Sequence, residues 1–265
     1  MNYISVDFHL QYLNSYTLFI QGGLKEDHLA VVNKDNEVVV CLSYDNENPS
    51  MEAARLLSMP FEHVYVSLPH QNIIWIPSEV FSLDDLSLYT DYFVHTEVEH
   101  IAVKQFSEQG ITALYQIEPA LQSRWRRLFP NVNIVPHFEA VLHQAWKHQD
   151  EAESVLGVYV NDSSADLFLL VHGELRIYNT YEVKTLEDLS YFVLSIMKNF
   201  SIEGKYKQIL LGGVSLSSVW AERLAFYGEE VKPLVIAGNW HSENEEVTQA
   251  IHKFSILEEL VVCAS

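Results

Sequence analysis

The chain has 265 residues, 48% of them hydrophobic, and a formal net charge of −20. The length suits two folded domains, and the acidic field disfavours nucleic acid and anionic membrane surfaces as partners. No apolar run is long enough to predict membrane insertion, and the first residues lack the pattern of a signal peptide, so we expect a cytoplasmic protein. Two cysteines, Cys41 and Cys263, are too few for a disulfide framework, and we interpret them as core residues.

The first half predicts a three-stranded antiparallel meander followed by alternating helices and strands. Gly22 and Gly23 separate its first two strands, and a polar turn at 34–36 separates the next two. Asn48 and Pro49 are typical of a helix start. The predicted elements are strands at 16–21, 28–33, 37–44, 63–68 and 131–135, and helices at 119–129 and 137–148.

Residues 69–117 depart from this plan, because they predict additional strands at 72–76, 100–105 and 111–117 and an acidic helix start at Ser82. We interpret part of this stretch as an insertion in the first lobe. The helix that follows carries Arg124, Arg126 and Arg127, which are predicted to be solvated or paired with acidic residues. Contact with an anionic partner is the alternative.

The second half repeats the plan of the first. Thr185 and Asp188 form a start similar to a capping box, and apolar residues then recur at helical spacing as far as Phe200. The polar segment 149–153 is the predicted boundary, which gives domains at 1–150 and 151–265. The predicted elements are strands at 154–161, 165–171, 174–181, 208–211 and 231–237, and helices near 185–200, 217–226 and 247–260.

A duplication of this size predicts two lobes with a cleft between them, where a ligand would bind. In the second half, the apolar strand 208–211 ends at Gly212 and Gly213 and is followed by Val214 and Ser215. This stretch resembles the adenosine motif of the actin-like ATPase superfamily, which includes sugar kinases, heat-shock chaperones and pilus-assembly proteins. A strand that simply ends in a glycine-rich turn is the alternative.

The resemblance implies an α/β protein with a duplicated ribonuclease H-like (actin-like ATPase) fold. Each of the two lobes is expected to contain a mixed five-stranded sheet and flanking helices. The match is closest to an uncharacterised bacterial family of this fold in which the phosphate motifs are degenerate.

The phosphate loops of that superfamily lie between the first two strands of each half, and both loops of this chain depart from the pattern. The first reads Gln-Gly-Gly-Leu-Lys at 21–25, with an amide where an acid is expected and no following hydroxyl. The second reads Asn-Asp-Ser-Ser-Ala-Asp at 161–166 and lacks glycine. Each loop keeps half of the chemistry that Mg²⁺ and phosphate need. Asp162 could alternatively form an Asx turn in a hairpin.

These degenerate loops favour a non-catalytic or weakly nucleotide-binding interaction protein, that is, a pseudo-ATPase scaffold with a protein partner. A working ATPase or small-molecule kinase, using the cleft between the lobes, is the alternative. No cofactor is assured, and ATP or ADP with Mg²⁺ is what the resemblance allows. The candidate nucleotide-binding residues are Gly22, Gly23, Asp162, Ser163, Ser164, Gly212 and Gly213.

Other chemistries have no support in the sequence. The chain lacks a GxSxG elbow, a Walker loop and an HExxH motif, so no catalytic residue is assigned. On a strand, His95, Glu97 and Glu99 would share one face while His100 points away. No metal site is predicted from them.

Overall fold

The computed structural model describes residues 2–148, 153–161, 163–236 and 238–264. The chain divides into two compact units. The first contains Met1–Phe138 together with Leu260–Ser265, and the second contains Glu139–Glu259. The polar segment 149–152 lies outside the described residues, and the predicted domain limits at 150 and 151 stay a prediction.

The first unit is built on a mixed sheet whose strand order is β1-β4-β3-β2-β5-β9. The predicted meander, β2-β3-β4, is antiparallel, and β5 and β9 add parallel to β2 and to each other. A sixth strand, β1, extends the expected five by pairing with β4. The strands of this unit are β1 (Asn2–Ile4), β2 (Thr17–Gln21), β3 (Glu26–Val32), β4 (Val38–Asp45), β5 (His63–Leu68), β6 (Asn72–Pro77), β7 (Ala102–Phe106), β8 (Ile111–Gln116) and β9 (Asn133–Pro136).

Helices α1 (Met51–Leu57) and α2 (Pro119–Leu128) cover one face of this sheet and bury their apolar residues in a shared core. The start of α1 lies later than the sequence predicts. Ser50, rather than Asn48, caps the helix, because its hydroxyl accepts a hydrogen bond from the N–H of Ala53 at 3.2 Å. Asn48 instead belongs to a turn whose N–H groups bind the Asp45 carboxylate.

The predicted insertion contains a separate three-stranded antiparallel sheet in the order β6-β8-β7. Its acidic segment forms a 3-10 helix over Leu83–Tyr92, whose Leu86 and Tyr89 pack against a small core that includes Leu114. Helix α3 (His137–Lys147) follows β9 and continues into the second unit.

The second unit repeats the arrangement with the strand order β12-β11-β10-β13-β14. Its meander is antiparallel, and β13 and β14 add parallel to β10 and to each other. Its strands are β10 (Val155–Val160), β11 (Ser164–Val171), β12 (Glu174–Glu182), β13 (Gln208–Gly212) and β14 (Val231–Pro233), and its helices are α4 (Leu186–Asn199), α5 (Val219–Leu224) and α6 (Glu245–Phe254), with α7 (Glu259–Cys263) closing the chain.

The capping box predicted for α4 is confirmed. Thr185 Oγ1 accepts from the N–H of Asp188, and the Asp188 carboxylate accepts from the N–H of Thr185. The helix buries Leu189, Val193 and Ile196 against the sheet; each such side chain contributes about 1.5–3 kcal/mol by burial.

The last strand is shorter than the predicted 231–237. It ends at Pro233, although the N–H of Leu234 still donates to the carbonyl oxygen of Leu211 at 2.8 Å.

Candidate functional site

In the first unit, the turn between β2 and β3 contains Gly22 and Gly23, and both of their N–H groups are already hydrogen-bonded. Gly22 donates to the carbonyl oxygen of Ser67 at 2.9 Å, which continues the pairing of β2 with β5. Gly23 donates to Oδ1 of Asp27 at 3.0 Å. The amides that a phosphate would need are therefore engaged within the chain.

Packing explains why both positions are glycine. A Cβ on Gly22 would lie 2.7 Å from Nε1 of the buried Trp125 and 2.8 Å from Cδ2 of Leu68. A Cβ on Gly23 would lie 2.3 Å from the carbonyl oxygen of Glu26. These glycines permit close internal packing, which is a role that needs no nucleotide.

Asp27 is the charged centre of this turn. Its side chain is fully buried, and Arg124 on α2 donates a hydrogen bond to its Oδ2. The guanidinium of Arg124 also lies 4.4 Å from the ring centroid of Trp125. The pairing predicted for Arg124 is thus confirmed, and its partner is a buried carboxylate beside the glycine turn.

Burial raises the pKa values of two side chains in this cluster, Asp27 and Tyr44. Desolvation raises the pKa of Asp27, and it outweighs the opposing effects of the Arg124 charge and the Gly23 N–H. Burial also raises the pKa of Tyr44, with the neighbouring Asp27 carboxylate adding to the effect.

In the second unit, the glycines and the turn after β10 lie at one edge of the sheet, because β10 and β13 are parallel and end together. Gly213 adopts a φ of 77°, and a Cβ there would lie 2.0 Å from the carbonyl oxygen of Val160. A Cβ on Gly212 would lie 2.6 Å from Cδ2 of Tyr159.

The turn itself is closed by backbone hydrogen bonds. Asn161 donates to the carbonyl oxygen of Ser164 at 2.8 Å, and the carbonyl oxygen of Ser163 accepts from Val183 at 3.0 Å. The structure therefore brings Ser163, Ser164, Gly212 and Gly213 to the same edge. Asp162, the fifth predicted residue of this half, lies outside the described residues.

A second buried carboxylate, Asp166 on β11, was not singled out as a site residue by the sequence. It accepts hydrogen bonds from Tyr178 Oη at 2.9 Å and Thr180 Oγ1 at 2.5 Å. Burial, reinforced by this carboxylate, raises the pKa values of Tyr159 and Tyr178. Each unit thus buries one carboxylate on the second strand of its meander and satisfies it with its own donors.

The histidine-rich segment does not form the strand considered in the sequence. Residues 98–100 form a 3-10 turn, and the rings of His95 and His100 lie 5.2 Å apart rather than on opposite faces. Across the described parts of the chain, no group of three or more His, Cys, Asp or Glu side chains is arranged to hold a metal ion.

Two meander-based mixed sheets with flanking helices define the actin-like ATPase fold. A Bacteroides thetaiotaomicron protein with actin-like ATPase fold and unknown function is similar, with a TM-score of 0.63, 16% identity, and coverage of 84% of this chain and 92% of that chain. The PilM-PilN type IV pilus biogenesis complex contains another similar chain, with a TM-score of 0.55, 14% identity, and coverage of 93% and 97%. At these identities the likeness shows the fold alone.

The chain belongs to the family described as protein of unknown function (DUF3822), whose sequence model matches residues 6–227. No curated protein matches the sequence. Among the described residues, no helix has the length and apolar character that crossing a membrane requires.

Proposed function

We propose that this protein is a non-catalytic or weakly nucleotide-binding interaction protein that uses an actin-like fold as a scaffold. The observation that carries the proposal is that both glycine N–H groups in the turn of the first unit are hydrogen-bonded within the chain. Gly23 donates its N–H to the Asp27 carboxylate, and Gly22 donates to Ser67. A phosphate would have to displace these acceptors and would meet a negative charge in place of free donors.

An arginine beside this turn is also engaged. Arg124 pairs with Asp27 and lies over Trp125, so it is held by internal contacts. Phosphoryl transfer depends on cations and donors that are positioned for the reacting phosphates. A turn whose two glycine amides have internal acceptors, beside an arginine that is paired with a buried carboxylate, is poorly suited to that task.

A role in protein association is supported by one similar structure. The PilM-PilN complex shows that a chain with this fold assembles with another protein. For the present chain, a protein partner is part of the proposal, and the net charge of −20 favours a basic or neutral partner surface. A cytoplasmic location is also part of the proposal.

The alternative is an ATPase or small-molecule kinase. It is favoured by one observation: Ser163, Ser164 and Gly213 meet at a single edge of the second sheet, where the superfamily resemblance implies nucleotide contacts. Hydroxyls and a close-approach glycine are compatible with a bound nucleotide. The first unit offers no matching set of free glycine amides among its described residues.

Isothermal titration of the purified protein with ATP and ADP, with and without Mg²⁺, tests the proposal. We expect affinities no tighter than about 1 mM and no strengthening by Mg²⁺. Micromolar binding that requires Mg²⁺, followed by turnover that is lost in Asp162→Asn, would establish the enzyme instead. Glu243→Gln, an exposed acid elsewhere in the second unit, is the control for the change in charge.

A further inference from the structure

The insertion of the first unit presents an apolar surface that nothing in the described chain covers. Five large side chains between residues 80 and 94 are each 62% to 69% exposed. This outward set, here called the insertion face, consists of Val80, Leu83, Leu88, Tyr92 and Val94.

The insertion face is the outer side of an ordered segment. Leu86, Tyr89 and Phe93 from the same stretch pack inward against the core of the insertion sheet. Ser82 fixes the start of the 3-10 helix by accepting from the N–H of Asp84 at 3.2 Å. The inward residues hold the backbone, and the outward ones are left to solvent, which is unusual for so many large apolar side chains in one stretch.

Exposed acidic residues alternate with the insertion face along the same stretch of sequence. The chain has no Lys or Arg between Arg55 and Lys104, so this stretch has a net negative charge. The exposed carboxylates are those of Glu79, Asp84, Asp85, Asp91, Glu97 and Glu99.

From this combination we infer that the insertion face docks a basic, amphipathic segment of a partner protein. Apolar anchors would bury Leu88 and Tyr92, and Lys or Arg side chains would reach the carboxylates of the same stretch. A second copy of the same face would bring like charges together. Anionic lipid and nucleic acid are repelled for the same reason. The inference deepens the proposed interaction role by giving the chemistry of the partner.

The test uses a defined probe, because attraction to a chain of charge −20 is not specific by itself. A synthetic helical peptide of about 18 residues, with leucines on one face and lysines on the other, is titrated by fluorescence anisotropy at about 0.15 M salt. A scrambled peptide of the same composition and a leucine–glutamate peptide are its controls.

Leu88→Ser with Tyr92→Ser is expected to weaken binding of the leucine–lysine peptide by about tenfold or more. Leu194→Ser with Tyr191→Ser, which removes an exposed Leu and Tyr from α4, should leave the affinity unchanged. Asp84→Asn with Asp85→Asn should reduce both the affinity and its salt dependence. Glu203→Gln with Glu243→Gln makes the same change in net charge elsewhere and should have a much smaller effect.

Equal binding by all variants, or equal binding of the scrambled peptide, would overturn the inference, since general charge attraction would then explain the result. Two further outcomes would assign the face to another occupant: adsorption to phosphatidylcholine vesicles, or self-association in sedimentation, that is lost in the Leu88/Tyr92 variant. Thermal unfolding of each variant checks that the fold is kept.

The nucleotide titration separates this inference from the proposed function. Turnover of ATP would defeat the scaffold proposal while leaving the peptide result standing. If ATP is not turned over and the Leu88/Tyr92 variant binds the peptide as well as the wild type does, only the inference about the insertion face is overturned.

Discussion

Gly22 packs against the indole of Trp125, a residue that is distant along the chain. The sequence singled out Gly22 for nucleotide binding. In the structure, a side chain at position 22 would overlap the indole of Trp125. A glycine pair after a strand signals close approach, but only the folded chain identifies what approaches.

Gly22→Ala tests this packing role. We expect a loss of about 1–3 kcal/mol in the free energy of unfolding, because the added Cβ would overlap the Trp125 indole. The measurement is urea unfolding followed by tryptophan fluorescence. Trp125→Phe removes the overlapping ring atoms, so the Gly22→Ala change should cost less in that background. Equal costs in both backgrounds would show that the contact does not restrict position 22.

Asp27 and Arg124 show where prediction from sequence stops at this scale. The two residues are separated by 97 positions, and the sequence could predict that Arg124 pairs with an acid but not with which one. Asp27 stands between Glu26 and His28 and reads as part of a polar strand end. Its burial follows from strand pairing and from the position of α2, which are properties of the tertiary fold.

The raised pKa of Asp27 predicts a particular pH dependence. The folded state holds the Asp27 proton more tightly than the unfolded chain, whose carboxyl has the ordinary value of 3.8. The contribution of this group to stability is therefore fully present below 3.8 and is lost as the pH rises through the folded pKa. Asp27→Asn lacks this titration.

Urea unfolding of the wild-type protein and of Asp27→Asn across the acid range measures the effect. The stability of the wild type relative to the variant should fall as the pH rises through that window and then become constant. An increase over the same window would mean that the Arg124 charge, rather than burial, controls the carboxyl.

At the scale of elements, the meander strands and most of the helices lie within a few residues of their predicted positions, because apolar runs and alternation report burial directly. At the start of α1 a local side chain decides the boundary, because Ser50 caps the helix two residues beyond the predicted Asn48. Strand β14 ends at Pro233, short of the predicted 237. The 3-10 segment at Leu83–Tyr92 follows neither helical nor strand periodicity, and it was predicted only as a helix start.

Helix α4 offers a prediction for a single capping interaction. Thr185→Ala removes the hydroxyl that accepts from the N–H of Asp188, and we expect a loss of about 1 kcal/mol in the free energy of unfolding. Chemical denaturation measures it. Thr96→Ala, at an exposed position in the first unit, is the matched control and should change stability little. Similar losses in both variants would indicate that the cap contributes nothing specific to α4.

At the scale of the whole molecule, the duplicated fold was predictable because each half repeats the same order of elements. The candidate nucleotide site was predictable only as a set of loop positions. Ser163, Ser164, Gly212 and Gly213 do converge at one edge, as parallel strands require. The sequence could not show that Gly22 donates to Ser67 or that Asp27 is buried against Arg124, because these contacts join elements that are distant along the chain.

Leu260 provides a prediction at this scale. It is fully buried and belongs to the first unit, although the second unit lies between it and the rest of that unit along the chain. Leu260→Ala should lower the stability of the first unit by about 2–5 kcal/mol. Hydrogen exchange in β2 and β5 reports the loss. Val261→Ala, at a side chain that is 44% exposed, should have a much smaller effect, and a similar loss would point to disturbance of α7 as a whole.

The division of the chain at Phe138 and again at Leu260 has a consequence for biosynthesis. Domains generally fold as units while the chain emerges from the ribosome, with the amino-terminal one first. Here the first unit can add residues 260–265 only after the whole second unit has been synthesised. Until then the nascent first unit lacks Leu260, a fully buried residue of its folded form.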